Sequence, residues 1–173
     1  MKLRLYSAVL AIVALGVLVS GTADAAAHGK GTHTLRIVAQ QNQFQILDLG
    51  TPGFSLGDEF VFSETLFRRG REVGVSGGVC TGTSVAPPYD VVRFHCVATL
   101  SLRRGQITLQ GLIELQGQDD PGPFTVAITG GTNAFFGAGG QAVIRRPTAT
   151  RAIYKLRFET RDKQKRGQNH HKR

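Results

Sequence analysis

Among the ionisable residues of this chain, Glu64 has the surroundings that most restrict its chemistry. It stands in DEFVFSETLF, residues 58–67, where Phe60, Phe62, Glu64 and Leu66 share one face of an extended strand. Glu59, Val61, Ser63, Thr65 and Phe67 share the other. If the first face is buried, an ionised carboxylate there is costly, so its pKa rises or an inward basic or hydroxyl group pairs with it. Such a carboxyl can act as a general acid or base, or orient a hydroxyl of a bound molecule. The alternative is that this face is outward or at a subunit contact, or that an arginine near a rim salt-bridges Glu64. Gln40, Gln41 and Tyr154 are further polar candidates, although single polar residues on strands are usually solvated or structural. His170 and His171 alone make no metal site, and no metal ligand set is read from the sequence.

The two cysteines, Cys80 and Cys96, flank the turn SVAPPYD at residues 84–90. A hairpin centred on Pro88 sets Cys80 opposite Cys96 on the apolar side, where directly opposed strand residues come close enough for a disulfide. In the chain-entropy account that bond stabilises by roughly 3 kcal/mol. It also removes Cys80 as a thiol.

These residues must be carried by strands. Residues 34–39 alternate, residues 40–45 read as a polar interruption, and residues 44–49 extend or resume the strand. GTPGFSLG at 50–57 is a loop, and Arg68-Arg69-Gly70-Arg71 closes a tight hairpin into a glycine-rich strand over 72–82. The clearest strand places Val92, Phe94, Cys96, Ala98, Leu100 and Leu102 on one face. Ile107, Leu109, Gly111, Ile113 and Leu115 match it if Leu102 pairs with Ile107. Residues 124–146, FTVAITGGTNAFFGAGGQAVIRR, read as two strands and a glycine-punctuated turn, a tightly turned hairpin that closes the sheet. No Gly-Lys-Ser/Thr follows, so backbone geometry accounts for these glycines better than a phosphate cradle. Residues 152–158 form the last strand, with Tyr154, Leu156 and Phe158 on one face. About eight strands on short connections, without an amphipathic helix, predict an all-β, eight-stranded antiparallel up-and-down barrel.

Lys2 and Arg4 precede an apolar run over residues 5–19, and Ala23-Asp24-Ala25, or Ala25-Ala26-Ala27, supplies small residues for cleavage. Residues 1–25 therefore read as a secretory signal peptide; an uncleaved N-terminal membrane anchor is the alternative. Residues 26–33 read as a flexible lead-in and residues 34–160 as the barrel. Of the formal net charge of +9, residues 161–173 hold six Lys/Arg against Asp162, a net +5. They read as a disordered, solvated tail. Contact of this tail with an anionic surface is a weaker reading and would be salt-dependent; no specific nucleic-acid binding is read.

From Leu56 to Ile144 the chain resembles the allene oxide cyclase and dirigent-type barrels, which are calycin-type. The resemblance rests on Leu-Gly-Asp at 56–58, Gly-Gly-Val-Cys at 77–80, Arg-Phe at 93–94, Gln-Gly at 110–111, and Ala-Ile-Thr-Gly-Gly-Thr with Phe-x-Gly-Ala at 127–138. It implies an eight-stranded barrel, usually trimeric, whose apolar lumen binds a hydrophobic or phenolic small molecule without a cofactor. The cyclase-like site would need an acid on the first strand, where only Gln40 and Gln41 stand, and a tyrosine near Leu112 or Ile113, where none stands. An inward asparagine of the family matches Glu64, and its pocket cysteine matches Cys80. The dirigent-style Ala-Arg-Gly is replaced by Ala138-Gly139-Gly140. Both specific reactions are therefore in doubt.

The leading expectation is an exported barrel that binds an apolar or phenolic molecule in a lumen lined by Phe60, Phe62, Glu64, Phe94 and Tyr154. A second is a cofactor-independent isomerase or cyclase with Glu64 as its catalytic group. A third is an envelope-associated scaffold for the basic tail.

Overall fold

The computed structural model describes residues 31–85, 91–116 and 122–161. The leader, the Pro88 turn, the loop at 117–121 and residues 162–173 lie outside the described residues. Alternating apolar and polar residues fold as eight strands: β1 (His33–Leu47), β2 (Glu59–Arg68), β3 (Arg71–Val85), β4 (Val91–Leu102), β5 (Gly105–Gln116), β6 (Phe124–Gly131), β7 (Gly139–Thr148) and β8 (Arg151–Glu159). Each pairs antiparallel with its neighbours in sequence, and β1 pairs with β8, so the sheet closes into a barrel without edges. No helix among the described residues is long and apolar enough to cross a membrane.

Three sequence expectations are corrected. The polar interruption at residues 40–45 is part of one continuous strand, β1, with a register shift between Gln41 and Gln43. The extra residue, Asn42, reverses which parity faces inward, so Ile37 and Ala39 are buried while Phe44 and Ile46 line the lumen beyond it. Second, the β4–β5 hairpin is two residues tighter: Leu100, not Leu102, lies opposite Ile107, and Leu102 meets Gly105. A shift of two keeps every side chain on its predicted face. Gly105 fits this turn because its φ is +136° and a Cβ would collide with the Thr132 carbonyl oxygen. Third, the glycine-rich link between β6 and β7 is not a tight turn, and it does not close the barrel. It carries a short 3-10 turn, Asn133–Phe135, and satisfies its backbone groups on the β4–β5 hairpin: Thr132 N–H donates to Gln106 O at 2.9 Å, and Ala134 N–H to Arg104 O at 3.0 Å.

The β2–β3 hairpin turns as predicted, with Arg69 and Gly70 both at positive φ (52° and 75°), the two-residue geometry that suits twisted strands. The interior has two parts. Toward the end where the β2–β3 and β4–β5 hairpins turn, Ile37, Leu66, Leu100, Ile107 and Leu156 are fully buried and plug the barrel. Each contributes about 1.5–3 kcal/mol of burial. Toward the other end, Cys80, Phe94 and Cys96 form a separate cluster with Phe60, Phe62 and Ile113 packed against it. The lumen stays open there.

Candidate functional site

A cavity of about 370 Å³ occupies the upper half of the barrel, within the size range of small-molecule sites. Its wall is mostly apolar and includes all five predicted lumen residues: Phe60, Phe62, Glu64, Phe94 and Tyr154. Alternation along β2 and β4 points the phenylalanines inward. Phe60 and Phe94 meet edge to face at 5.0 Å, and Phe44 extends the contact to Phe60 at 5.6 Å. Gly78 and Gly111 on the flanking strands leave room for this filling. A Cβ on Gly78 would lie 2.6 Å from Phe62 Cζ, and one on Gly111 2.7 Å from Val126 Cγ1.

The buried carboxyl of Glu64 finds hydroxyl partners. Ser76 Oγ donates to Glu64 Oε2 at 2.6 Å, and Tyr154 Oη donates to the same oxygen at 2.9 Å. All three residues are nearly inaccessible. Oε1 takes no hydrogen bond among the described residues, and Glu64 borders the cavity. Burial first, then the adjacent Glu64 carboxylate and its hydrogen bond, push the Tyr154 phenol well above its ordinary 10.0, with Arg146 acting weakly against them. Tyr154 is thus held as a neutral donor.

Ser76 is absent from the sequence reading, and the reason is geometric. Counting back from the Arg68–Arg71 turn sets Val75 opposite Glu64, but a register shift after Leu66 makes Val73 the extra residue and brings Ser76 into place. Tyr154 comes from β8, across β1. Tyr154 lies opposite Ile37 and Glu64 opposite Gln41, and between those two β1 positions the inward residue is the small Ala39. At the positions where the resemblance would put a tyrosine, Leu112 points outward and Ile113 lines the cavity. Arg146 also borders the cavity, where its Nη2 donates to Gln41 Oε1 at 3.2 Å and to Ala149 O at 2.6 Å. Gln40 is exposed and outside the site.

The predicted disulfide is formed. Cys80 and Cys96 are cross-strand partners with Cα atoms 4.0 Å apart, and both line the cavity. Register follows the predicted centre as far as Gly82 and then shifts by one before Ser84. No cluster of three His, Cys, Asp or Glu that could hold a metal occurs among the described residues.

The loop at residues 48–58 folds over the mouth. Its organiser, Asp58, falls outside the strand to which alternation assigned it. Asp58 is 2 % exposed and accepts from Leu49 N–H at 2.9 Å, Ser55 N–H at 2.6 Å and Ser55 Oγ at 3.2 Å. These backbone donors, Leu49 first, hold its carboxyl below the ordinary 3.8. Gly57 N–H and Gly82 N–H tie the loop to β3 through Gly82 O and Asp58 O, and Phe54 is delivered onto Phe94 at 5.3 Å.

The site is thus a mostly apolar, phenylalanine-lined cavity at one end of a closed antiparallel barrel, with Glu64, Ser76 and Tyr154 hydrogen-bonded together at its wall. The chain belongs to the family described as allene oxide cyclase barrel like domain, whose model matches residues 33–158. It is similar to a solved structure of a pyocyanin demethylase, at 30% identity over 72% of this chain and 99% of that one, with a TM-score of 0.61. A pterocarpan synthase dirigent protein (15% identity, 76% and 87% covered, TM-score 0.59) and an exo-specific intermolecular Diels-Alderase (13%, 74% and 98%, 0.55) share the fold. A comparison with curated proteins finds no match.

Proposed function

We propose that this protein is an exported barrel that binds a hydrophobic, hydroxyl-bearing aromatic molecule in its lumen. The observation that carries the reading is the carboxyl of Glu64, which borders an aromatic cavity while Ser76 and Tyr154 both donate to its Oε2 and leave Oε1 for a ligand. A phenolic or enolic O–H donated to Oε1 satisfies that oxygen while the rings of Phe60, Phe62 and Phe94 take the flat apolar body. The likeness to a pyocyanin demethylase supports a flat aromatic ligand. Titration of the protein with 1-naphthol, naphthalene and pyocyanin tests this. We expect 1-naphthol to bind at least about tenfold more tightly than naphthalene, with that preference reduced in Glu64→Gln and both affinities weakened in Phe62→Ala. Failure of all three compounds to bind, or an undiminished preference in Glu64→Gln, overturns the reading.

The same geometry supports a second reading, a cofactor-independent isomerase or cyclase. A proton acceptor fixed through one oxygen and open through the other is positioned to remove a ligand proton, with Tyr154 holding the carboxyl in orientation. Turnover of an enone or epoxide that persists at full rate in Glu64→Gln excludes it. Export rests on the leader at residues 1–25 and on the disulfide, which suits an oxidising compartment; N-terminal sequencing of the protein from culture medium checks it. The homotrimer implied by the family is checked by light scattering.

A further inference from the structure

We propose that the barrel end opposite the lumen mouth is a second binding site, for an anionic phospholipid presented at a bilayer surface. The β2–β3 and β4–β5 hairpins turn at this end and carry Arg68, Arg69, Arg71, Arg103 and Arg104, all exposed. None of the five forms an ion pair with another described residue. Between the hairpins and the strand ends opens a cavity of about 590 Å³, separate from the lumen. Arg68, Arg103 and Arg104 stand on its rim, with Leu102, Phe135 and Phe158 below them. A guanidinium rim over an apolar floor matches an amphiphile whose phosphate takes paired N–H donors and whose first methylenes cover the rings. A polysaccharide or nucleic acid would engage the rim and leave the floor bare.

Two further observations favour a bilayer. Net charge differs between the ends: at the mouth Asp48, Asp58, Glu59 and Glu114 stand with Arg93, Arg145, Arg146 and Arg151, whereas at the other end the five hairpin arginines outnumber Glu72 and Glu159. Both ends of the chain also leave the barrel on the arginine side, where β1 begins at His33 and β8 ends at Glu159. Residues 161–173, which follow, contribute six Lys/Arg against one Asp, so the cationic character continues off the same end. Docked this way, the barrel directs its lumen mouth away from the bilayer into water. Ligand exchange and surface attachment then use opposite ends.

Residues 26–173, which contain all eight described strands and the described core, are sedimented with vesicles of phosphatidylglycerol and phosphatidylcholine, and with phosphatidylcholine alone, at physiological ionic strength. Binding is expected to the anionic vesicles only. The triple variant Arg68→Gln, Arg103→Gln, Arg104→Gln is expected to lose on the order of 100-fold in affinity, since each surface arginine contributes about fivefold. Phe135→Ser is expected to weaken vesicle binding several-fold while leaving retention on dextran sulfate unchanged. Melting temperature and 1-naphthol affinity, read in parallel, show that the variants are folded. Equal binding to phosphatidylcholine, wild-type affinity in the triple variant, or equal loss of Phe135→Ser on vesicles and dextran sulfate overturns the proposal. So does a loss seen only on deleting residues 162–173, which would assign the contact to the tail. The lumen reading is independent of each of these outcomes.

Discussion

Replacing Tyr154 by Phe removes one hydroxyl from the buried polar cluster and almost nothing else. Glu64 Oε2 then keeps only Ser76, and a buried carboxylate loses a charge-assisted hydrogen bond of 2.9 Å. Such bonds contribute about 1.5–3 kcal/mol, so near neutral pH the variant should be destabilised by about 2 kcal/mol in urea denaturation. The pH dependence gives an independent signature. An unfolded phenol loses its proton near 10.0, whereas folded Tyr154 holds its proton well above that. Its contribution is therefore fully present below pH 10 and falls as pH rises toward the folded value, by about 1.4 kcal/mol per pH unit. The Phe variant lacks this slope, so the gap between the two proteins should close progressively above pH 10. Phenolate absorbance reads the same event directly, because the chain has no tryptophan and residues 26–173 contain only Tyr89 and Tyr154. The late-ionising component should vanish in the variant. Stabilities that differ by less than about 0.5 kcal/mol near neutral pH, or a gap that stays constant through pH 10 to 11, would refute the buried hydrogen bond.

Other perturbations address the remaining parts of the site. Asp58→Asn should loosen the loop at 48–58 and speed chymotryptic cleavage near Phe54. In the wild type the same loosening should appear only in acid, because the Asp58 contribution is present above 3.8 and is lost as pH falls through its depressed folded value. Reducing the Cys80–Cys96 bond, or replacing both cysteines by Ser, should cost about 3 kcal/mol by denaturation with and without dithiothreitol. Gly78→Ala should press on Phe62 and on the Val97 carbonyl of the neighbouring strand, weakening aromatic probes in calorimetric titration and lowering stability in urea unfolding. Leu100→Ala, in the plug, should cost 2–5 kcal/mol in urea unfolding yet leave probe affinity near wild type.

Periodicity of two is a local property, so the sequence by itself determined most of the strands, which residues share a face in β2, β4, β5 and β8, and the β2–β3 turn, where Arg69 and Gly70 suit positive φ. Cys80 and Cys96 were legible for the same reason, since register carries outward from a short turn until a shift interrupts it. What lay beyond a bulge was decided only by tertiary structure. One extra residue at Val73 set Ser76 rather than Val75 beside Glu64, and one at Asn42 turned a polar interruption into a continuous strand with Phe44 and Ile46 inside. Contacts across the lumen were equally hidden: that Tyr154 reaches Glu64 follows from barrel closure between β1 and β8 and from the small Ala39 between them, which no linear pattern encodes. Asp58 looked like the first residue of a strand because alternation counts polarity and not partners; the backbone donors of Leu49 and Ser55 that bury it exist only once the loop has folded. Glu64 itself was visible as one carboxyl among phenylalanines, but its role depends on which of its oxygens the fold leaves open.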